Sequence, residues 1–289
     1  MILIVCCLGL ILGSFVNALV WRLHEQEEVA EALVAGSKRL GKPAEQKLRT
    51  RLARLSILRG RSMCPACGHG LTAKDLVPVI SWLTLGGKCR YCHAPISVQY
   101  PVVELLTALL FVVSYIWWPL GWQASGYIPF ILWLVFLTGF MALAVYDIRW
   151  MLLPDRIVYP LIVLAAVEVV MQTAFFHGGW SAATTAVFGA GSLAGLFYLL
   201  YLGSRGNWIG FGDVKLAIVL GLLVGGPLRA LLVLFVASLL GSLIAIPLLA
   251  RGRATAKTLL PFGPLLLTAT VIVVLFGEPL VRWYTGLFI

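Results

Sequence analysis

Residues 2–22 read ILIVCCLGLILGSFVNALVWR: nineteen uncharged residues (2–20), then Trp21 and Arg22. A helix of that length rises about 28 Å at 1.5 Å per residue, close to the roughly 30 Å of a bilayer's hydrocarbon core. No basic residue precedes the run and no small-residue cleavage site follows it, so it reads as an uncleaved first spanning helix and not as a signal peptide. Arg22, on its far side, places the N-terminus outside. Comparable apolar runs recur near Tyr100–Trp118, Tyr127–Tyr146, Pro154–Phe175, Ala183–Leu202, Asp213–Val224, Ala230–Ala250 and Leu259–Phe276. The sixth span is short and bounded by glycine.

Composition agrees with a lipid solvent. The 289 residues are 61% hydrophobic and 12% charged, against about 45–50% and 25% for a soluble domain. The expected fold is an all-α polytopic membrane protein of about eight transmembrane helices. A small cytoplasmic zinc-binding domain is inserted between helices 1 and 2. The expected division is a first helix over 1–21, a cytoplasmic domain over 22–99 and a membrane domain of about seven helices over 100–289.

The net charge of +10 raises the question of a nucleic-acid partner. Threading eight helices from outside puts residues 21–99, 147–156, 203–215 and 251–258 in the cytoplasm. Those stretches hold 20 of the 22 Lys and Arg, all but Arg229 and Arg282. Cytoplasmic loops of membrane proteins carry this excess. The basic charge therefore marks orientation, and no nucleic acid is expected.

The polar segment has two parts. Residues 24–61 begin acidic (Glu25, Glu27, Glu28, Glu31) and end basic (Lys47, Arg49, Arg51, Arg54, Arg59, Arg61), with Leu48, Leu52 and Leu55 at helical spacing. This arm reads either as a helix on the anionic inner leaflet, with membrane lipid as partner, or as a solvated helix packed on its neighbours. Residues 62–93 carry Cys64-Pro-Ala-Cys67 and Cys89-Arg-Tyr-Cys92. Two such pairs at this separation fit a tetrahedral, structural Zn²⁺ site, because each short knuckle supplies two thiolates from one turn. Four protein ligands leave no open position for water, so this metal folds a domain and performs no hydrolysis. Free or redox-active thiols are the alternative. His69 and His93 follow the knuckles and could stand in for a cysteine, whereas Cys6 and Cys7 read as packing residues of the first helix.

Six carboxylates lie in or beside the spanning segments: Glu104, Asp147, Asp155, Glu168, Asp213 and Glu278. Ionisable groups there are expensive and by default functional. Asp147 ends the third predicted helix and Asp213 opens the sixth, so both face the cytoplasmic boundary. Two carboxylates close together at low dielectric cannot both ionise and share a proton. Such a pair activates water with one member and protonates a carbonyl with the other, as aspartic proteases do. Gly210 and Gly212 beside Asp213 would admit a substrate backbone. The structural alternatives are an Asp147–Arg149 ion pair and an Asp213 N-cap. Glu104 is expected to pair with a basic neighbour, Glu168 to sit at the interface or bond another helix, and Asp155 to start a helix after Pro154. His177 falls in an outside loop, and no Ser-His or Cys-His arrangement competes.

Several of these stretches are similar to one family. Gly13-Ser14-Phe15-Val16-Asn17 with Trp21-Arg22-Leu23 resembles the opening of bacterial type 4 prepilin peptidases. So do the knuckles joined by Val77-Pro78-Val79-Ile80-Ser81-Trp82-Leu83, and the Tyr100-Pro101-Val102-Val103-Glu104-Leu105-Leu106 that follows. Asp147 to Pro154-Asp155, the Gly-x-Gly-Asp-x-Lys-Leu at 210–216 and Pro261-Phe262-Gly263-Pro264 continue the match in order. The resemblance implies a membrane aspartic endopeptidase, with Asp147 and Asp213 as catalytic residues. It implies removal of the basic leader of prepilins and pseudopilins at the cytoplasmic face of the bacterial inner membrane. N-methylation of the new amino terminus with S-adenosylmethionine follows, and the products serve type IV pili or type II secretion. His24 stands where the family usually has proline, and residues 25–61 have no counterpart in the resemblance. Methyl transfer is associated with that first cytoplasmic segment, and no cofactor-contacting residue can be assigned. The competing functions are a membrane transporter, which would place carboxylates near the midplane and often show a repeat, and a zinc-stabilised, non-catalytic assembly scaffold.

Overall fold

A computed structural model describes residues 1–36, 42–57, 60–175, 179–252 and 260–286. His177, Arg59 and Leu259, which entered the expectations above, lie outside the described residues. The chain divides into two compact units, Met1–Val113 and Ser114–Ile289. The described residues are helical and contain no strand. Two isolated bridges, Met63 with Gly70 and Lys88 with Pro95, sit in the cysteine segment.

Seven helices are long and apolar enough to cross a membrane: α1 (Ile2–Gly36), α4 (Gln99–Ile116), α5 (Ala124–Trp150), α6 (Asp155–Ala174), α7 (Gly179–Ser204), α9 (Pro227–Ala250) and α10 (Gly263–Gly286). The remaining expected span is α8 (Phe211–Val224), a helix of 14 residues. At 1.5 Å per residue it covers only about 21 Å. Its composition explains how so short an apolar helix is sheltered. It lies against α6, α7, α9 and α10, and Leu216, Ala217, Val219 and Leu220 are fully buried. A helix apolar on all sides belongs in the interior.

In the first unit, α1 does not stop where the apolar run stops. Residues 22–35 contain neither Gly nor Pro, and their Glu, Gln, Ala and Leu are good helix formers, so the helix runs on to Gly36. The basic arm, α2 (Lys42–Arg54), folds back along this extension. Arg51 pairs with Glu25, and the Gln26 side-chain amide donates to the Leu55 carbonyl at 2.8 Å. The Arg22 guanidinium donates to the carbonyls of Ser56, Ile57 and Gly60, in the segment after α2, at 3.0–3.4 Å. One face of the arm thus packs on a neighbouring helix, while Lys47, Arg49 and Arg54 stay exposed.

Small residues set the distance between α1 and α4. A Cβ at Gly9 would lie 2.5 Å from the Ala108 Cα, and one at Gly13 would lie 2.6 Å from the Glu104 Cα. Gly9 and Gly13 are four apart on one face, the small-xxx-small device for close helix approach in membranes. Asn17, one turn on, donates to the Tyr100 carbonyl at 3.0 Å.

In the second unit the same device brings α7 and α8 together. A Cβ at Gly221 would stand 2.7 Å from the Ala190 nitrogen, and Gly189 faces the Gly221 carbonyl oxygen. The turn after α8 uses Gly225 and Gly226 at φ 68° and 155°, a backbone that residues with side chains avoid. Gly221→Ala should therefore lower thermal stability in detergent by about 1–3 kcal/mol. Gly191→Ala, on α7 with open space around it, should change it by less than about 0.5 kcal/mol.

Candidate active site and metal centre

In the first unit, Cys64, Cys67, Cys89 and Cys92 converge, with all four sulfurs within 4.8 Å of one another. The Cys64 and Cys92 sulfurs are 3.9 Å apart. Four thiolates 2.3 Å from a central ion would be separated by about 3.8 Å, so the cluster could hold a tetrahedral metal ion. The knuckles share one backbone plan. Cys64 N–H donates to the His69 carbonyl and Gly68 N–H to the Cys64 carbonyl; Cys89 N–H donates to Ala94 and His93 N–H to Cys89, all at 2.9–3.0 Å. Each knuckle needs a left-handed residue after its second cysteine, supplied by Gly68 at φ 70° and His93 at φ 56°. His93 is thus a turn residue, and among the described residues the ligand cluster consists of the four cysteines alone. Backbone N–H groups of Cys92 and Tyr91 hold the Cys89 thiol down at about 7. Burial pushes Cys64 up, against the N–H groups of Cys67 and Ala66.

Asp75 links the parts of this segment. Its carboxylate accepts from Arg90 Nε at 2.7 Å, from the Tyr91 hydroxyl at 3.1 Å and from the Thr72 hydroxyl at 2.8 Å. The Arg90 guanidinium holds its carboxyl well below the usual carboxylate range. The His69 ring lies 3.8 Å from that of Tyr91, tying the first knuckle to the second. Among the described residues, Glu104 has no basic partner of the kind expected for it. Its Oε2 accepts the Val79 N–H at 2.7 Å. Val79 has φ 60°, rare for a β-branched residue, and this bond helps hold it there.

In the second unit, three helix ends form the other candidate site. Asp147 stands on the last turn of α5, which stops at Met151 in the left-handed region. The side chain is buried, and its Oδ2 accepts the N–H of Gly263, the first residue of α10, at 3.1 Å. A helix N-terminus offers unpaired N–H groups and a positive dipole end to an anion. A Cβ at 263 would lie 2.6 Å from that same oxygen, so the contact requires glycine. Asp213 stands half-buried in the first turn of α8, after the N-cap Gly210. The charge of Asp147 acts on it. Leu153 fills the space beside them: Cβ atoms at Gly212 and Gly263 would meet its side chain at 3.2 and 3.6 Å.

Among the described residues, neither structural alternative for these aspartates is found. Arg149 lies over the Trp150 ring, 5.2 Å from its centre, and Asp213 is two positions past the first residue of α8, with no side-chain cap bond. Asp155 starts α6 and pairs with Lys215 of α8. The Lys215 side chain is 14% exposed, and its ammonium lies 5.3 and 5.4 Å from the centres of the Tyr159 and Phe211 rings. This pair ties α6 to the turn of α8 that carries Asp213. Glu168 lies away from these groups in sequence. It receives the Gln172 amide of its own helix at 3.3 Å, and among the described residues no bond from it to another helix is found. Sequence reasoning gave no role to Gly263, Leu153 or Asp75. Gly263 had stood only within the quoted Pro261-Phe262-Gly263-Pro264.

Comparison with known proteins gives a consistent picture. Residues 7–118 match the bacterial peptidase A24 N-terminal domain and residues 134–246 match the type IV leader peptidase family. The chain is similar to a prepilin leader peptidase/N-methyltransferase of Pseudomonas aeruginosa, 36% identical over 282 residues, 96% of this chain and 91% of that protein. One from Aeromonas salmonicida is 34% identical over 284 residues, 96% and 91% of the two chains. One from Bacillus subtilis is 31% identical over 232 residues, 80% and 87%. No solved structure matches the chain significantly.

The cysteine cluster carries its own test. The purified protein should contain about one metal ion per chain by elemental analysis, and Cys67→Ser should reduce this to under about one-tenth while exposing the 62–93 segment to protease. Full metal content in Cys67→Ser would remove that cysteine from the ligand set.

Proposed function

The chain belongs to the prepilin leader peptidase/N-methyltransferase family, and we propose that Asp147 and Asp213 are the catalytic pair of its peptidase. It is a multi-pass membrane enzyme, a protease with attached methyltransferase activity. The observation that carries the proposal is the meeting of three helix ends, with Asp147 held by the Gly263 amide and Leu153 packed against both Gly263 and the Gly212 that precedes Asp213.

In the mechanism we derive, the two carboxylates share one proton. The ionised member takes a proton from a water molecule, whose oxygen forms a bond to the scissile carbonyl carbon. The neutral member gives its proton to the carbonyl oxygen. Collapse of the tetrahedral intermediate breaks the C–N bond. The amine leaves with the proton taken from water, and the carbonyl oxygen returns its proton to the pair. The Gly263 N–H orients Asp147 through the reaction, and Leu153 keeps bulk water from the pair. S-adenosylmethionine supplies the methyl group that the new amino terminus receives.

The four cysteines are assigned to structural zinc, because four thiolates leave no position open for a water nucleophile. The substrates are prepilins or pseudopilins. The proposed site is the bacterial inner membrane, with the N-terminus periplasmic and residues 22–99 cytoplasmic. The ends of α5 and α10 that meet at the Asp147–Gly263 bond, with the start of α8 beside them, support this topology. If those ends share the cytoplasmic face, α8 must rise away from it so that α9 can return, which makes eight crossings. The count of basic residues favours the same face.

A co-expressed prepilin tests the assignment. Asp147→Asn and Asp213→Asn should each slow cleavage by about 10²–10⁴-fold at normal protein level and metal content. Gly263→Ala, which moves the Asp147 carboxylate, should slow it by about 10²-fold. Normal processing by either Asn variant would sink the pair and shift attention to Glu104 and Asp155.

A further inference from the structure

The unit Met1–Val113 contains a cavity that borders the cysteine cluster at Cys64 and has no part in cleavage. It measures about 960 Å³ and lies between the end of α1's apolar stretch, one face of α2 and the entry to the first knuckle. That is the size of a ligand pocket, roughly 300–1,000 Å³. Trp21, Leu48 and Met63 give it apolar walls, and Lys47, Arg51 and Arg54 line it with cations. These three basic residues recur at i, i+4 and i+7 and so share one face of α2. No Asp or Glu is among the lining residues. Arg51 is neutralised by Glu25, but Lys47 and Arg54 make no ion pair among the described residues. Two uncompensated cations beside an apolar wall favour an anion that also has an apolar part.

Position narrows the ligand. Trp21 closes the charge-free run of α1, the place where tryptophan settles at a membrane–water interface. A sulfonium methyl donor is a poor fit, because its positive charge would join the uncompensated Lys47 and Arg54 and find no lining carboxylate. We infer that the cavity seats the phosphate headgroup of an anionic phospholipid, held by Lys47 and Arg54 with Trp21 at the glycerol level. Basic pockets at the cytoplasmic ends of membrane helices take such headgroups. The inference stands on the cavity and its charge and is independent of the catalytic assignment.

The test is native mass spectrometry of the full chain titrated with phosphatidylglycerol or phosphatidylcholine. One tightly bound phosphatidylglycerol per chain is expected, with phosphatidylcholine at least about 10-fold weaker. Lys47→Gln and Arg54→Gln should each weaken phosphatidylglycerol by about 5-fold. Both side chains are exposed and unpaired, and metal content verifies that the variants fold. Arg49→Gln removes the same charge from the opposite face of α2 and should change binding by less than about 2-fold. Equal affinity for the two lipids, or an Arg49→Gln loss as large as the others, would overturn the site. Displacement of the lipid by equimolar glycerol 3-phosphate would reassign it to a soluble phosphate.

Discussion

A carboxylate near hydrocarbon must be neutral, or be met by donors, or sit where water can reach it. Asp147 meets this constraint with the amide of Gly263, and the second unit is arranged around that contact. The amide is available because it is the first of α10, where four N–H groups have no partner within the helix. It can come close only because residue 263 has no Cβ. Asp213 occupies the corresponding favourable place in the first turn of α8. The two helices therefore present their N-terminal ends to the two acids, with Leu153 packed against Gly263 and Gly212 beside them.

The same economy of side-chain volume recurs wherever helices must approach closely. Gly9 and Gly13 admit α4 against α1, and Gly189 and Gly221 admit α8 against α7. Lipid gives little drive for helices to associate, so contact depends on close packing. A short α8 depends on it most, since seven of its 14 residues, Val214 to Val224, are buried among four neighbours. The Asp155–Lys215 pair then ties its first turn to α6. The position of Asp213 follows from packing, one ion pair and one glycine turn.

Much of this was legible in the residues. Apolar runs of spanning length gave the helices, since the hydrocarbon thickness leaves little freedom in length. Two pairs of cysteines at close spacing gave a cluster, because a knuckle fixes its own geometry. What stayed hidden was whatever depends on contacts between distant segments. That α1 continues through Glu25–Ala35 follows from propensity, but its partner α2 is identified only by Arg22, Gln26 and Arg51 reaching across. Glu104 seemed to call for a cation, yet it accepts a backbone amide from the strained Val79. Nor does sequence alone show that Gly263 touches Asp147, 116 residues away.

The central claim is that Asp147 and Asp213 work as one acid and one base sharing a proton. The direct measurement is the pH dependence of kcat/KM for leader cleavage, in liposomes at constant metal content. The account expects a bell, with one limb for loss of the base on acidification and one for loss of the acid at higher pH. A rate that climbs with pH to a plateau and never falls would mean that no protonated partner is needed, and would contradict it.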